Sequence, residues 1–240
     1  MEGNFWQGLW IGKEPAGDTH VRSREVVRPT GGIIRGKFPS RKNGRMVHYE
    51  GLLELDAIYH LETSPNIALY REQFAKIFYP DGDRIRRYTP DFEVILHTGE
   101  VVNIEVKPKA KLASSEIRAK FERISGYYAR RGDRFVILHD EVIREKPRLA
   151  NLKSIYHQSA RIPPNAHAAE IAVQRFSREF PMPLAACIER LSSRQVCTFC
   201  LLMSGLLRCS LDQPITYETS IELSLETDHA WFFLAKEYGF

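Results

Sequence analysis

The 240-residue chain contains no apolar run long enough to cross a membrane. Its first ten residues, MEGNFWQGLW, lack the basic-then-apolar order of a signal peptide. A bilayer partner is therefore not expected, and a cytoplasmic location is. Cysteine is scarce. The four present, Cys187, Cys197, Cys200 and Cys209, all fall in the last quarter and in apolar surroundings. Cys197 and Cys200 have C-x-x-C spacing, but VCTFCLLM reads as continuous helix without the turn residues of a zinc knuckle. Buried reduced thiols are expected there rather than zinc. Histidine shows no ligand pattern, because His48, His60, His97 and His139 are scattered. Internal repeats and low-complexity tracts are missing too. With 43% hydrophobic and 27% charged residues, the composition is that of an ordinary globular protein of one large or two small domains.

The net charge is only +4, so composition alone does not call for a nucleic-acid partner. Its distribution says more. Residues 1–150 hold 26 Lys/Arg against 21 Asp/Glu, and residues 151–240 hold 8 against 9. Within 22–45 there are eight basic residues and one acid, Glu25. Such a stretch suits a phosphate backbone. Arg35, Lys37, Arg41, Lys42 and Arg45 are its candidate DNA contacts, joined by Lys109 and Lys111 further on. Trp6 and Trp10 read equally as a clasp on the domain or as a partner contact.

Hydrophobic spacing predicts a helix over 48–63, ending before Pro65. One or two strands follow over 67–80, then a turn at Asp81–Asp83. PDFEVIL and VVNIEVK read as a hairpin joined by His97-Thr98-Gly99, with Gly99 at the left-handed position of a three-residue loop. A helix over 114–132, capped by Gly132, and a buried strand over 133–140 complete a mixed α/β region. The expected layout is a basic arm (1–45), an α/β domain (46–147), a linker helix (148–165) and a small, mainly helical domain (166–240). In the last, three helices followed by a hairpin give the order of a winged helix. Its second helix, QVCTFCLLMSG, offers few base-reading side chains, so a protein-contact role is favoured over sequence reading.

The hairpin carries the chemistry. The three-residue loop pairs Leu96 with Glu100, and therefore Asp91 with Glu105. Directly opposed residues share a face, and Lys107 follows Glu105 by two, so all three cluster. The pattern is P-D-x13-E-x-K. Two hard carboxylates on one face suit Mg²⁺, with the Val106 carbonyl as a further ligand and Mn²⁺ expected to substitute. A water activated there could attack a phosphodiester, with Lys107 orienting it and neutralising developing charge. A third acid is expected from the 48–63 helix, where Glu50 and Glu54 are spaced i, i+4.

Phe38-Pro39-Ser40, LLELDAIYHLETSPNIALYREQ, TPDFEV and IEVKPKAKL, in that order, resemble the TnsA endonuclease of multi-subunit bacterial cut-and-paste transposons. The resemblance covers roughly 20–140. It implies the restriction-endonuclease-like fold of PD-(D/E)XK nucleases, a mixed β-sheet flanked by helices. It also assigns Glu54 as the helix acid, Asp91 and Glu105 as the hairpin acids and Lys107 as the catalytic lysine. Glu54, Asp91, Glu105 and Val106 would then hold the metal. The implied role is cleavage of the 5′ ends of an element, on the strand not transferred. The implied partners are transposon-end DNA, a TnsB-type DDE transposase and a TnsC-type AAA+ regulator, at the bacterial nucleoid. The alternatives are a stand-alone restriction or repair nuclease with the same site, and a non-catalytic DNA-binding adaptor that recruits the regulator. An HNH or zinc nuclease lacks its histidines.

Overall fold

The computed structural model describes residues 34–224 and Phe232. Most of the expected basic arm, with Trp6 and Trp10, lies outside the described residues. Two compact units are present. Among the described residues, one contains residues 34–58 together with Ala68–Asp140. The other contains Tyr59–Ile67 together with residues 141–224 and Phe232, so the helix Leu52–Thr63 and the strand Ile67–Glu72 are shared between the two. Among the described residues no helix is long and apolar enough to cross a membrane.

The first unit opens with the antiparallel hairpin β1 (Arg35–Ser40) and β2 (Arg45–Glu50), so residues 35–45 belong to a β-hairpin with its turn at 41–44 rather than to an irregular arm. Helix α1 (Leu52–Thr63) starts four residues later than its spacing suggested, because His48–Glu50 belong to β2. Strand β3 (Ile67–Glu72) follows. Next comes a separate two-stranded ribbon, β4 (Ile77–Asp81) and β5 (Arg84–Tyr88). Strands β6 (Phe92–Leu96) and β7 (Val101–Val106) form the anticipated hairpin. After a short α2 (Lys109–Leu112), helix α3 (Ser115–Arg130) leads to β8 (Arg134–Leu138), which pairs with β7 in parallel. The four-stranded sheet has the order β3-β6-β7-β8, mixed in direction.

Burial follows the strand period of two. Phe92, Val94 and Leu96 alternate with more exposed neighbours on β6, as do Val136 and Leu138 on β8. Helix α3 buries Phe121, Ile124 and Tyr128 on one stripe. That stripe packs with Ile77, Tyr79 and Tyr88 of the ribbon and with Phe135 and Ile137 of β8. Tyr128 stacks on Phe135 at 5.4 Å. The helix ends as its sequence indicated. Gly132 has φ +75, and the Asp133 N–H reaches back to the Tyr128 carbonyl at 3.0 Å.

Arg45 was expected on DNA. Its side chain is instead 3% exposed and grips Glu72 bidentately, at 2.9 and 2.6 Å. Glu72 also accepts the His48 N–H. The guanidinium is fully committed inside the protein, and a phosphate cannot reach it.

In the second unit, α4 (Asp140–Ile143) precedes α5 (Arg148–Gln158). The expected linker helix is no linker: Leu152 and Ile155 of α5 are buried in this unit's core. Helix α6 (Ala166–Arg175) is capped by the Asn165 side chain, which accepts the His167 N–H at 2.9 Å. Then come β9 (Met182–Pro183), α7 (Leu184–Ser192), α8 (Thr198–Met203), β10 (Leu207–Arg208) and β11 (Ser220–Leu223). The short strands form an antiparallel sheet of order β10-β11-β9. Asn151 of α5 organises the connection between β10 and β11. Its side chain donates to the Leu211 and Gln213 carbonyls and accepts the Ile215 N–H. Five of the six residues of α8 are buried.

None of the four cysteines forms a disulfide. Burial pushes the Cys187 thiol up to about 11 and that of Cys209 up to about 12. Cys197 is drawn down to about 5 by the Cys200 side chain and by nearby backbone N–H groups, which outweigh its partial burial.

The buried Arg45–Glu72 pair supplies a test of the first unit. Arg45→Met leaves Glu72 buried without its partner, and should destabilise the fold by about 3–5 kcal/mol. Urea unfolding measures this. A change within about 0.5 kcal/mol, as for a surface site, would show that the pair does not hold the hairpin to β3.

Candidate active site

The loop between β6 and β7 has the three-residue form. Gly99 has φ +87, and Leu96 and Glu100 are joined by a hydrogen bond of 2.9 Å from the Leu96 N–H. The ladder pairs Phe92 with Ile104 and Glu93 with Asn103. One step further in the same register, Asp91 lies opposite Glu105. Asp91 itself sits in a bend just before β6. Its Oδ2 accepts the Val106 N–H at 2.8 Å, and its carbonyl accepts the Gln73 N–H at 2.9 Å. The hairpin therefore holds the side chain of Asp91, and Gln73, just beyond β3, holds its main chain.

Glu105 is 4% exposed. Its Oε1 lies 3.0 Å from the Lys107 Nζ, and its Oε2 accepts the Tyr88 hydroxyl. Lys107 is part-exposed, and its N–H continues the parallel ladder to the Leu138 carbonyl at 2.9 Å. Glu54, on the first turn of α1, accepts the Glu50 N–H at 2.7 Å. Glu50 ends β2 and pairs with Arg35 at 3.1 Å, so it does not share a helix face with Glu54.

Electrostatics tie Glu54, Asp91, Glu105 and Lys107 together. Burial, then repulsion from Glu105 and from Glu54, hold the Asp91 carboxyl well above the usual carboxylate range. The Val106 N–H and Lys107 offset this only in part. Burial acts to lower the Lys107 ammonium, but Glu105, Asp91 and Glu54 outweigh it and hold its pKa above the usual value. Lys107 is thus a cation at neutral pH. Tyr88 is pushed well up by burial and by Glu105, so its hydroxyl keeps its proton and donates it.

The donors here are hard oxygens in an excess of negative charge, which fits a small divalent cation in kind. Among the described residues no three His, Cys, Asp or Glu side chains lie close enough together to form a ready ligand cage.

Lys109 and Lys111, just beyond Lys107, are exposed on α2. Lys37, Arg41 and Lys42 are part-exposed on the first hairpin, and Arg35 is drawn to Glu50. Two neighbours of the site were not anticipated. Tyr88 is signalled only by standing three residues before Asp91. Gln73 is buried at φ +47, an unusual backbone for a residue with a side chain, and no sequence feature announces it.

Residues 64–140 match the family model of the TnsA-like endonuclease N-terminal domain. Over this segment the chain is similar to TnsA-like endonucleases. Asp91, Glu105 and Lys107 lie inside the match, and Glu54 lies ten residues before it. No curated protein matches the chain.

Asp91 provides a pH test of this TnsA-like site. Its folded pKa lies above the unfolded value, so the folded state keeps a proton that the unfolded chain gives up first. Its ionisation therefore weakens the metal-free fold as pH rises from about 4. Asp91→Asn should raise the Tm of metal-free protein at pH 8 and leave it nearly unchanged at pH 4. Equal shifts at both pH values would refute the crowding of these acids. Tyr88→Phe should cost about 1 kcal/mol of stability through the lost hydrogen bond, read by the same melts.

Proposed function

We propose that this chain is the metal-dependent endonuclease subunit of a heteromeric transposase, cutting the 5′ ends of a cut-and-paste transposon on the strand not transferred. The supporting observation is the placement of Asp91, Glu105 and Lys107 on one face of a hairpin inside the segment that matches the TnsA-like endonuclease family. The mixed sheet flanked by helices is compatible with a restriction-endonuclease-like fold.

In this reading Asp91, Glu105, the Val106 carbonyl and Glu54 hold Mg²⁺, or Mn²⁺ in its place. The bound ion supplies charge stabilisation at the phosphate and an acidified water. The chain's own residues do the rest. The Val106 N–H fixes one oxygen of Asp91 and so aims the other. Tyr88 fixes Glu105 from behind. Lys107 keeps its proton, so its part is to orient the attacking water and neutralise the phosphate rather than to act as the base. Lys109 and Lys111 extend positive charge along the DNA backbone, with Lys37, Arg41 and Lys42 on the first hairpin.

The second unit is read as a winged helix: α6, β9, α7, α8, then β10 and β11 as the wing. In that arrangement α8 takes the position of a recognition helix, yet its residues are nearly all buried. A helix with no free face cannot enter a groove. This supports a protein-contact role, with end recognition supplied by a TnsB-type transposase and target choice by a TnsC-type regulator. The pure subunit is then expected to bind DNA weakly and cleave poorly.

The test is strand-specific cleavage of labelled element-end DNA with Mg²⁺ and the cognate TnsB-type transposase. Asp91→Ala and Lys107→Ala should each lower 5′ cutting by about 10²-fold or more while 3′ cutting persists. Unchanged 5′ cutting would remove the Asp91 face as the active site and favour the adaptor reading. Robust site-specific nicking by the chain alone would favour a stand-alone nuclease.

A further inference from the structure

The ribbon β4–β5 stands outside the four-stranded sheet. One of its faces is covered within the first unit: Ile77, Tyr79 and Tyr88 are buried against α3. The other face carries the opposed pairs Phe78–Arg87 and Pro80–Ile85. Phe78 is 60% exposed and Ile85 is 70% exposed. Two large apolar side chains so exposed on one short ribbon need a reason, because scattered single exposures are the norm.

The charges around them point to the partner. Arg86 is drawn to Asp81 at 2.8 Å, and Arg123 of α3 holds the other oxygen of the same carboxylate at 2.8 Å. Asp81 is thereby doubly neutralised. Arg87 shares the outer face with Phe78, whereas Arg84 stands opposite Asp81 on the other side, at the exposed turn end of the ribbon; both are exposed and have no ion-pair partner among the described residues. The outer face holds no acid, although Asp83 stands in the turn. Arg123 and Arg130 line a groove beside Pro80, together with Glu122 and Gly126. An apolar tip between unpaired arginines complements a polyanion with an apolar interior, which describes duplex DNA.

The ribbon also has the right address. Its last residue, Tyr88, donates its hydroxyl to Glu105, and Asp91 follows three residues later. A chain spans at most about 3.6 Å per residue. The Cα of Arg87 therefore lies within about 14 Å of that of Asp91, and the Cα of Arg84 within about 25 Å. At about 3.4 Å per base pair, these reaches cover roughly four to seven base pairs from a phosphate held at Asp91.

We propose that the outer face and the tip of the β4–β5 ribbon dock on duplex DNA beside the phosphate to be cut, with Arg87 of the outer face and Arg84 of the tip on the backbone and Phe78 and Ile85 wedged against base pairs. This rests on the reading of the Asp91 site as a DNA-cleaving centre. An exposed apolar side chain that partly unstacks a base step is a known way to bend a duplex and bring more of it against the protein. Here it would open the duplex a few base pairs from the reacting strand.

The test uses the full chain in EDTA with a labelled random-sequence duplex at low salt, one base replaced by 2-aminopurine. R84A/R87A should weaken binding and reduce the slope of log affinity against log salt by about 1.8, the loss of two phosphate contacts. F78S/I85S should keep the slope and lose the 2-aminopurine brightening that reports unstacking. All four side chains are exposed, so both variants should melt with the wild type. An unchanged salt slope in R84A/R87A overturns the proposal. If Asp91→Ala still abolishes cleavage in that case, the active-site reading stands without the ribbon. Loss of transposase binding with DNA binding intact also overturns it, in favour of a protein interface. Wild-type protein that binds no duplex even at low salt overturns the ribbon proposal, while strand-specific cleavage with Asp91→Ala decides the active-site reading separately.

Discussion

Everything at this site depends on the register of one hairpin. The loop His97–Gly99 closes with Gly99 at φ +87, a backbone that a residue with a side chain adopts only under strain. That closure pairs Leu96 with Glu100 and carries Asp91 to a position opposite Glu105. A slip of one residue would set Asp91 against Val106 and turn every side chain of one strand to the other face. The Val106 N–H bond to Asp91 would be lost with it. The parallel pairing of β7 with β8 then locks the second strand from its far side, up to the Lys107 N–H.

The same register sets Asp91 and Glu105 on one face with Lys107 beside them, and Glu54 of α1 adds to their negative charge. Asp91 resists ionisation there, while Lys107 is held firmly charged. The lysine is therefore suited to stabilising negative charge, not to accepting a proton. Tyr88 and the Val106 N–H reach the carboxylates from the protein side, so each acid keeps a fixed orientation despite its neighbours. Such an arrangement stores repulsion in the folded state, a common trait of sites built for chemistry rather than for stability.

Much of this was legible in the chain because it follows from local rules. Alternation, a glycine at a turn and a glycine cap place the hairpin and α3 nearly as they stand. What failed was non-local. Basic density marked Arg45 as a surface cation, but the density of a segment says nothing about which of its residues faces inward, and Glu72 claims this one. Helical spacing across 48–63 hid the end of β2, because His48–Glu50 fit either period at such short length. The supposed linker at 148–165 contains polar residues and a proline pair, yet Leu152 and Ile155 of α5 complete a core whose other half lies some fifty residues further on. Tyr88 and Gln73 entered only through contacts with Asp91 and Glu105.

The four thiols differ sharply in readiness to react. Thiolate is the nucleophile, so Cys187 and Cys209, buried and pushed upward, are chemically quiet. Cys197 is part-exposed, at the start of α8, and its thiol is drawn downward by the Cys200 side chain. A soft electrophile carrying a fluorophore is therefore expected to react at Cys197 before Cys187 or Cys209. That natural handle reports from the second unit, far in sequence from the acids of the first, and allows assembly with other subunits to be followed without altering a residue.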